Sequence, residues 1–466
     1  MLDLAVIGGG VAGLTALRRA QNHARAAGYE LKSRLFEGEA RLGGKVRTER
    51  DGGFLVEAGP DAFTPKKPQV LELLRELGLE DELLASRDEE RRLDVLVGGR
   101  LVPLLEGLRG LVPTRLGSFL ASPLLSPWGK LRLLAEPLVP ARRGEGEESL
   151  ADFARRRLGR EGYERLAEPL LAHVYAADAE RLSAAAAYPG LVELERRFGS
   201  LRRGVRKTRG QGGEGPRFWT LEGGLGRLVE ALDGDLDLGT VELGRRVVEL
   251  QPPAGPEGPY GIVLEDGSRF QARGVILAVP SWATAELVGD WAGELASELK
   301  AMRWVSLATV SLGYRRRDVG HPLDAFGFLV PRGEGRTILG ATWVSSKFEG
   351  RAPEEHVLVR VFLGGALHPS LFGQGDAEII ERAENEIAPL LGLRGESVHT
   401  RLFRWPRGYP QYDLGHGERV ERIETLCPAG LELAGSSYHG IGLADVVESG
   451  HQAGGRAIEK LLERAQ

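Results

Sequence analysis

A single cysteine, Cys427, in 466 residues excludes an internal disulfide, and with it a disulfide-stapled scaffold or a Cys-x-x-Cys redox or zinc site. That scarcity suits a reducing compartment, so a cytoplasmic location is expected, and no metal site. The chain also lacks the positive surplus that a general nucleic-acid binder uses to displace counterions. Its formal net charge is −5 and its isoelectric point lies near 6.1. Long apolar runs are missing too: the longest uncharged stretch of the middle region, Leu116 to Gly129, is too short and too interrupted by proline to cross a bilayer as a helix. The first strand-like run begins within a few residues of Met1, which predicts no signal or transit peptide.

What is present is an ordinary globular balance, 42% hydrophobic and 27% charged, in a chain long enough for two or three domains. The most informative segment is the first. Leu4 to Ile7 reads as a buried strand and runs directly into Gly8-Gly9-Gly10-Val11-Ala12-Gly13, a GxGxxG turn that opens a helix. Gly8 permits the turn, Gly10 lets backbone approach a pyrophosphate, and Gly13 lets the helix lie close on the strand with its amides toward phosphate. A second strand, Leu31 to Phe36, ends at Glu37, at the spacing where an acid accepts from a ribose 2′-hydroxyl. The acid favours FAD or NAD over NADP. Just beyond it, Gly38, Arg41, Gly43, Gly44 and Lys45 supply a second glycine turn with cations, which favours FAD.

The pattern predicts an α/β fold with a discontinuous Rossmann-like FAD-binding domain (1–75, 215–295 and 415–466). A mainly helical domain is expected over 85–210 and a β-rich, antiparallel substrate domain over 296–414. Helical spacing appears at Ser149 to Leu158 and Gly162 to Tyr175, a basic glycine-rich linker at 207–216, and a buried run at Gly274 to Pro280 that suits a return to the parallel sheet. Alternating strands appear at Ala308 to Tyr314 and His356 to Phe362. Within 101–140, leucine and proline mix with Arg109, Arg115, Lys130 and Arg132, which fits either core packing or an apolar face against an anionic membrane or substrate mouth.

Several further blocks fall in one order along the chain: Gly59-Pro60-Asp61-Ala62-Phe63, Leu158 to Glu161, Glu168 to Asp178, Leu182-Ser183, Phe198 to Leu201, Arg404 to Tyr412 and Gly415-His416. With the two nucleotide motifs they resemble the oxygen-dependent porphyrinogen oxidases of haem synthesis, within the FAD-dependent amine-oxidase-like flavoproteins. The resemblance runs from about residue 3 to 460. It implies FAD contacts at Gly8 to Gly13, Glu37, Gly38, Lys45, Gly59, Pro60, Asp61, Ala62, Val247, Trp405, Ile441, Gly442 and Leu443. It also implies oxidation of a porphyrinogen, with flavin N5 as hydride acceptor and O2 as final acceptor giving hydrogen peroxide. No protein group is assigned as the proton acceptor.

Arg92 stands where the resemblance places a substrate arginine, and Lys66 and Lys67 are weaker candidates for substrate carboxylates. His173 and His439 depart from the pattern, and each reads either as a structural histidine or as a group at the substrate mouth. Coproporphyrinogen III is the expected substrate and protoporphyrinogen IX the alternative; an amine oxidase and a non-catalytic flavin or tetrapyrrole binder stay open as other readings. Haem-pathway enzymes are implied as partners, and the oligomeric state is left open.

Overall fold

The computed structural model describes residues 1–65, 67–87, 92–105, 107–109, 111–142, 144, 146–208, 218–255 and 258–465. Lys66 and most of the 207–216 linker lie outside the described residues. Two seven-stranded sheets among these residues organise the chain. In the first, Leu2–Ile7 lies between Ser33–Phe36 and Arg269–Leu277, all parallel, and Leu431–Leu433 adds in parallel beyond Arg269–Leu277. Val241–Glu242 extends one edge, and the antiparallel strands Tyr260–Leu264 and Val247–Gln251 extend the other.

The register matters for function. Ile7 stands opposite both Phe36 and Leu277, and Leu277 stands opposite Leu433. Four parallel strands from distant parts of the sequence therefore end at one sheet edge, and the loops that follow them converge where an open α/β sheet binds its ligand. The strand expected over Leu31 to Phe36 begins at Ser33, and the one expected at Gly274 starts earlier, at Arg269. Helix Val11–Ala26 and the last helix, Leu443–Ala465, cover one face in close contact, since a Cβ on Gly450 would meet Ala12 O at 2.3 Å and one on Gly454 would meet Ala16 O at 2.2 Å.

The second sheet has the order His399–Pro410, Trp304–Arg315, His356–Gly364, Ile338–Trp343, Gly327–Leu329, Asp94–Val97, Arg100–Pro103. Its last two strands come from the segment expected to be mainly helical. Ala308, Val310 and Leu312 bury one face against helix Asp376–Leu391 through Ile379, Ala383 and Ile387. By strand alternation, Thr309 and Arg360 turn the other way, toward the loops of the first sheet.

Most of the remaining helices pack around Phe119, Phe153, Leu158 and Leu166. Ser149 caps helix Leu150–Leu158 as its side chain accepts from Asp152 N. The helix expected over Gly162 to Tyr175 is instead three pieces: an α turn at Arg160–Gly162, a wide π-helical stretch at Tyr163–Ala172 and a 3₁₀ turn at His173–Tyr175. Pro169, which has no N–H to donate, sits inside the wide stretch.

Candidate functional site

The glycine loop is tight beneath and open above. Gly8 has φ +107, and a Cβ there would meet Ala278 O at 2.7 Å; on Gly13 it would meet Gly8 O at 1.9 Å. On Gly10 it would meet nothing within 4 Å. Gly10 caps helix Val11–Ala26 without a side chain, so the cap position gives the amides of Val11, Ala12 and Gly13 no side-chain acceptor. Positive helix-end charge, bare amides and space above Gly10 together fit a pyrophosphate.

The second motif closes on the first. Gly43 N donates to Gly9 O at 2.8 Å, and Gly10 and Gly43 form a bridge. Glu37 Oε2 accepts from Gly9 N at 2.6 Å and Oε1 from Glu39 N at 2.8 Å, which fixes the carboxylate at the end of its strand. Arg41 donates to Gly44 O at 2.6 Å and to Leu42 O at 3.1 Å, so it braces the turn from within, and burial lowers its pKa. Gly38 lies against Arg246, and Arg245 N donates to Glu37 O, so the start of strand Val247–Gln251 follows directly from residues held against Glu37 and Gly38.

Residues 58–61 form the opposite wall, where a Cβ on Gly59 would meet Lys45 O at 1.9 Å. Ala58 O accepts from Trp405 Nε1 at 2.9 Å, Arg360 Nη2 at 3.1 Å and Thr309 Oγ1 at 3.2 Å, while Arg360 also donates to Gly59 O. Asp61 pairs with Lys347 at 2.9 Å. Burial works to raise the Asp61 pKa, but Lys347 and Arg360 outweigh it and hold the carboxyl below its usual range. Glu57 is pushed up to about 7 by burial, even though Leu225 N and the Thr48 hydroxyl both donate to it.

Lys45 lies between the two sheets, its ammonium 5.1 Å from the Trp304 ring and 5.9 Å from that of Tyr409, and burial lowers its pKa to about 8. Its polar neighbour is Ser436 Oγ at 3.5 Å. Ile441 and Gly442 precede the last helix, and Gly442 N donates to Asp445 Oδ2 at 3.2 Å. Tyr412 ties this loop down: its hydroxyl donates to Ser436 O at 2.9 Å and accepts from Gly440 N at 2.7 Å.

The structure thus brings the expected cofactor residues to one edge, and it adds Thr309, Lys347, Arg360, Trp304 and Tyr409, which sequence reasoning missed. Arg360 carried a readable signal, a cation in the apolar run His356 to Leu363. The expected substrate cations are engaged with protein carboxylates: Lys67 with Asp445, and Arg92 with Asp94 at 3.0 Å and Asp324 at 2.9 Å. Asp94 is buried, which raises its pKa. Both ring nitrogens of His173 are buried, facing the backbones of Leu339, Glu168 and Val330 without a well-formed hydrogen bond, and burial lowers its pKa to about 4. His439 lies on the surface, 2.7 Å from Glu424.

The sequence matches the family of flavin containing amine oxidoreductases over residues 12–458. It is 32% identical to a coproporphyrinogen III oxidase of Bacillus subtilis (strain 168), over 98% of each chain. It is 33% identical to human protoporphyrinogen oxidase, over 96% of each. A crystal structure from Exiguobacterium sp. 255-15, provisionally assigned as a protoporphyrinogen oxidase, superimposes with a TM-score of 0.85 at 29% identity, covering 98% of this chain and 99% of that one.

Proposed function

The chain belongs to the flavin containing amine oxidoreductase family, and on that premise we propose that it oxidises coproporphyrinogen III to coproporphyrin III in haem synthesis. The likeness to coproporphyrinogen III oxidase along nearly the whole of both chains supports this reading most directly. Bound FAD supplies the two-electron acceptor at flavin N5, with O2 as the final oxidant and hydrogen peroxide as by-product. The chain's residues hold and orient. Gly8 to Gly13 present amides to the pyrophosphate, and Glu37 accepts from the ribose. Gly38 and Val247 flank the adenine, and Arg41, Gly43 and Gly44 shape the second turn. Lys45, Gly59 to Ala62, Trp405 and Ile441 to Leu443 surround the ring. The three-domain division expected from the sequence belongs to the same proposal, as do haem-pathway partners.

Arg92 fits a substrate carboxylate without stranding a buried charge: its Nε keeps Asp94 while Nη2 exchanges the half-exposed Asp324 for the incoming group. Lys67 is a second candidate, although taking a substrate carboxylate would leave the mostly buried Asp445 without it, and Lys66 stays a third candidate from the sequence. Peripheral membrane contact is supported by a run of exposed apolar side chains. Leu116, Leu120, Trp128, Leu131 and Leu138 are all more than half exposed across the short helices of 116–138, with Lys130 among them. No helix among the described residues is long and apolar enough to cross a membrane.

The functional test is aerobic turnover of purified, FAD-loaded protein with coproporphyrinogen III, protoporphyrinogen IX and a panel of amines, following porphyrin fluorescence and peroxide together. Porphyrin formation favouring the tetracarboxylate is expected. Preference for the dicarboxylate would move the assignment to protoporphyrinogen oxidase, and turnover of an amine alone would overturn both.

A further inference from the structure

Three arginines lie along strand His399–Pro410, and the third is treated differently from the others. Arg401 pairs with Asp51 at 2.6 Å and Arg404 with Asp376 at 2.6 Å. Arg407 has no carboxylate partner among the described residues. It is exposed, and its guanidinium lies 3.8 Å from the ring centroid of Trp282. Its backbone has φ +46, in the left-handed region that side-chain-bearing residues seldom occupy, and its amide is held by Ser306 Oγ at 3.0 Å.

The stack belongs to a closed group of residues. Ser281, next to Trp282, accepts from Trp304 Nε1 at 2.9 Å; Lys45 sits over Trp304 and Tyr409, and Tyr409 follows Arg407 by two residues. Lys45, too, has no carboxylate partner among the described residues. One deep cation thus lies over two aromatic rings and one rim cation over a third, and Trp282 Nε1 is buried with no acceptor among the described residues. Aromatic faces suit a pyrrolic ring, and an arginine whose face is taken by indole keeps its edge N–H groups for an anion.

We propose that Arg407, stacked on Trp282, binds a carboxylate of the ring substrate and orients that ring over the interior site. The inference rests on the porphyrinogen reading above and deepens it, by naming a cation that binds without giving up a protein carboxylate. Stacking fixes the plane of the guanidinium before the ligand arrives, and a carboxylate then meets two parallel N–H groups.

Arg407→Gly removes the guanidinium and suits the backbone angle, so it keeps the fold; Arg407→Lys keeps charge without the fork. Two readings are taken on wild type and both variants: steady-state KM and kcat with coproporphyrinogen III, and binding of coproporphyrin III against its tetramethyl ester by tryptophan fluorescence, with flavin content measured in parallel. For Arg407→Gly, KM should rise roughly ten-fold with kcat little changed, and the preference for free acid over ester should fall by a similar factor. The lysine variant should lie between, and flavin content should hold. Unchanged KM and unchanged acid preference would overturn the proposal, as would loss of flavin, which would assign the guanidinium to the cofactor. If wild type turns over neither porphyrinogen yet Arg407 still sets the acid preference, the functional reading fails and the carboxylate site stands.

Discussion

At the glycine end of the site the backbone does the holding. Gly8, Gly9, Gly13 and Gly43 touch one another or the next strand directly, and the carboxylate that ties the loop down, Glu37, comes from the end of the adjacent strand. At the opposite end, around Ala58 to Asp61, side chains do the holding, and they come from hundreds of residues away: Thr309, Lys347, Arg360 and Trp405. A pyrophosphate needs bare amides at one spacing, which a short motif can encode. A ring-shaped ligand needs walls, which require a second sheet to be brought up and fastened. The first half should therefore break through steric crowding and the second through stranded polar groups.

The largest effect is expected at Gly13. A Cβ 1.9 Å from Gly8 O forces the loop open, so Gly13→Ala should lose flavin and about 3 kcal/mol of stability. Gly10→Ala sharpens the comparison, since its Cβ meets only open space. Compared as apoproteins, its unfolding temperature should match wild type while its flavin binding falls, and equal losses of stability in both variants would contradict a cradle that is tight below and open above.

On the far side, Lys347→Met leaves Asp61 without its partner and should cost about 2–3 kcal/mol by denaturant unfolding. Adding Asp61→Asn should restore most of that loss. If the double variant is as weak as the single, Lys347 acts by filling space.

Acid response provides a third contrast. Burial holds His416 at about 4 in the fold, against about 6.5 unfolded. Between those values the unfolded chain binds a proton that the folded chain refuses, so stability is full above the window and falls with pH inside it, by about 1.4 kcal/mol per unit. His173 carries the same sign. Glu57 and Glu168 carry the opposite one: burial raises both to about 7, so they stay protonated in the fold and stability declines as pH rises toward 7. Unfolding curves from pH 4 to 8 should show a flatter acid limb in His416→Phe and a flatter neutral limb in Glu168→Gln.

The smallest effect is expected at His439. Its pair with Glu424 is more than half exposed on both sides, so His439→Ala should change stability by less than about 0.5 kcal/mol. Its KM for the porphyrinogen should be unchanged; a shifted KM would place His439 at the substrate.

The same contrast explains what was legible in the sequence. Glycine spacing, a strand-terminal acid and buried strand runs announced the parallel sheet, and each of those signals is local. The 94–103 strands hid inside a stretch read as helical because short edge strands carry little periodicity. Arg92 looked like a free cation, since its two aspartates are seen only when 92–94 is folded against 324. The Lys45, Trp304 and Tyr409 group is invisible in sequence, since Trp304 and Tyr409 meet through sheet register and Lys45 reaches them from a distant turn.

The most direct test of the account is anaerobic mixing of FAD-loaded protein with coproporphyrinogen III and, separately, with protoporphyrinogen IX, following loss of the oxidised-flavin band. The account predicts bleaching by both, faster with the tetracarboxylate, and porphyrin fluorescence that reaches full yield only when oxygen is admitted. No bleaching by either, in protein that retains its flavin, would contradict it.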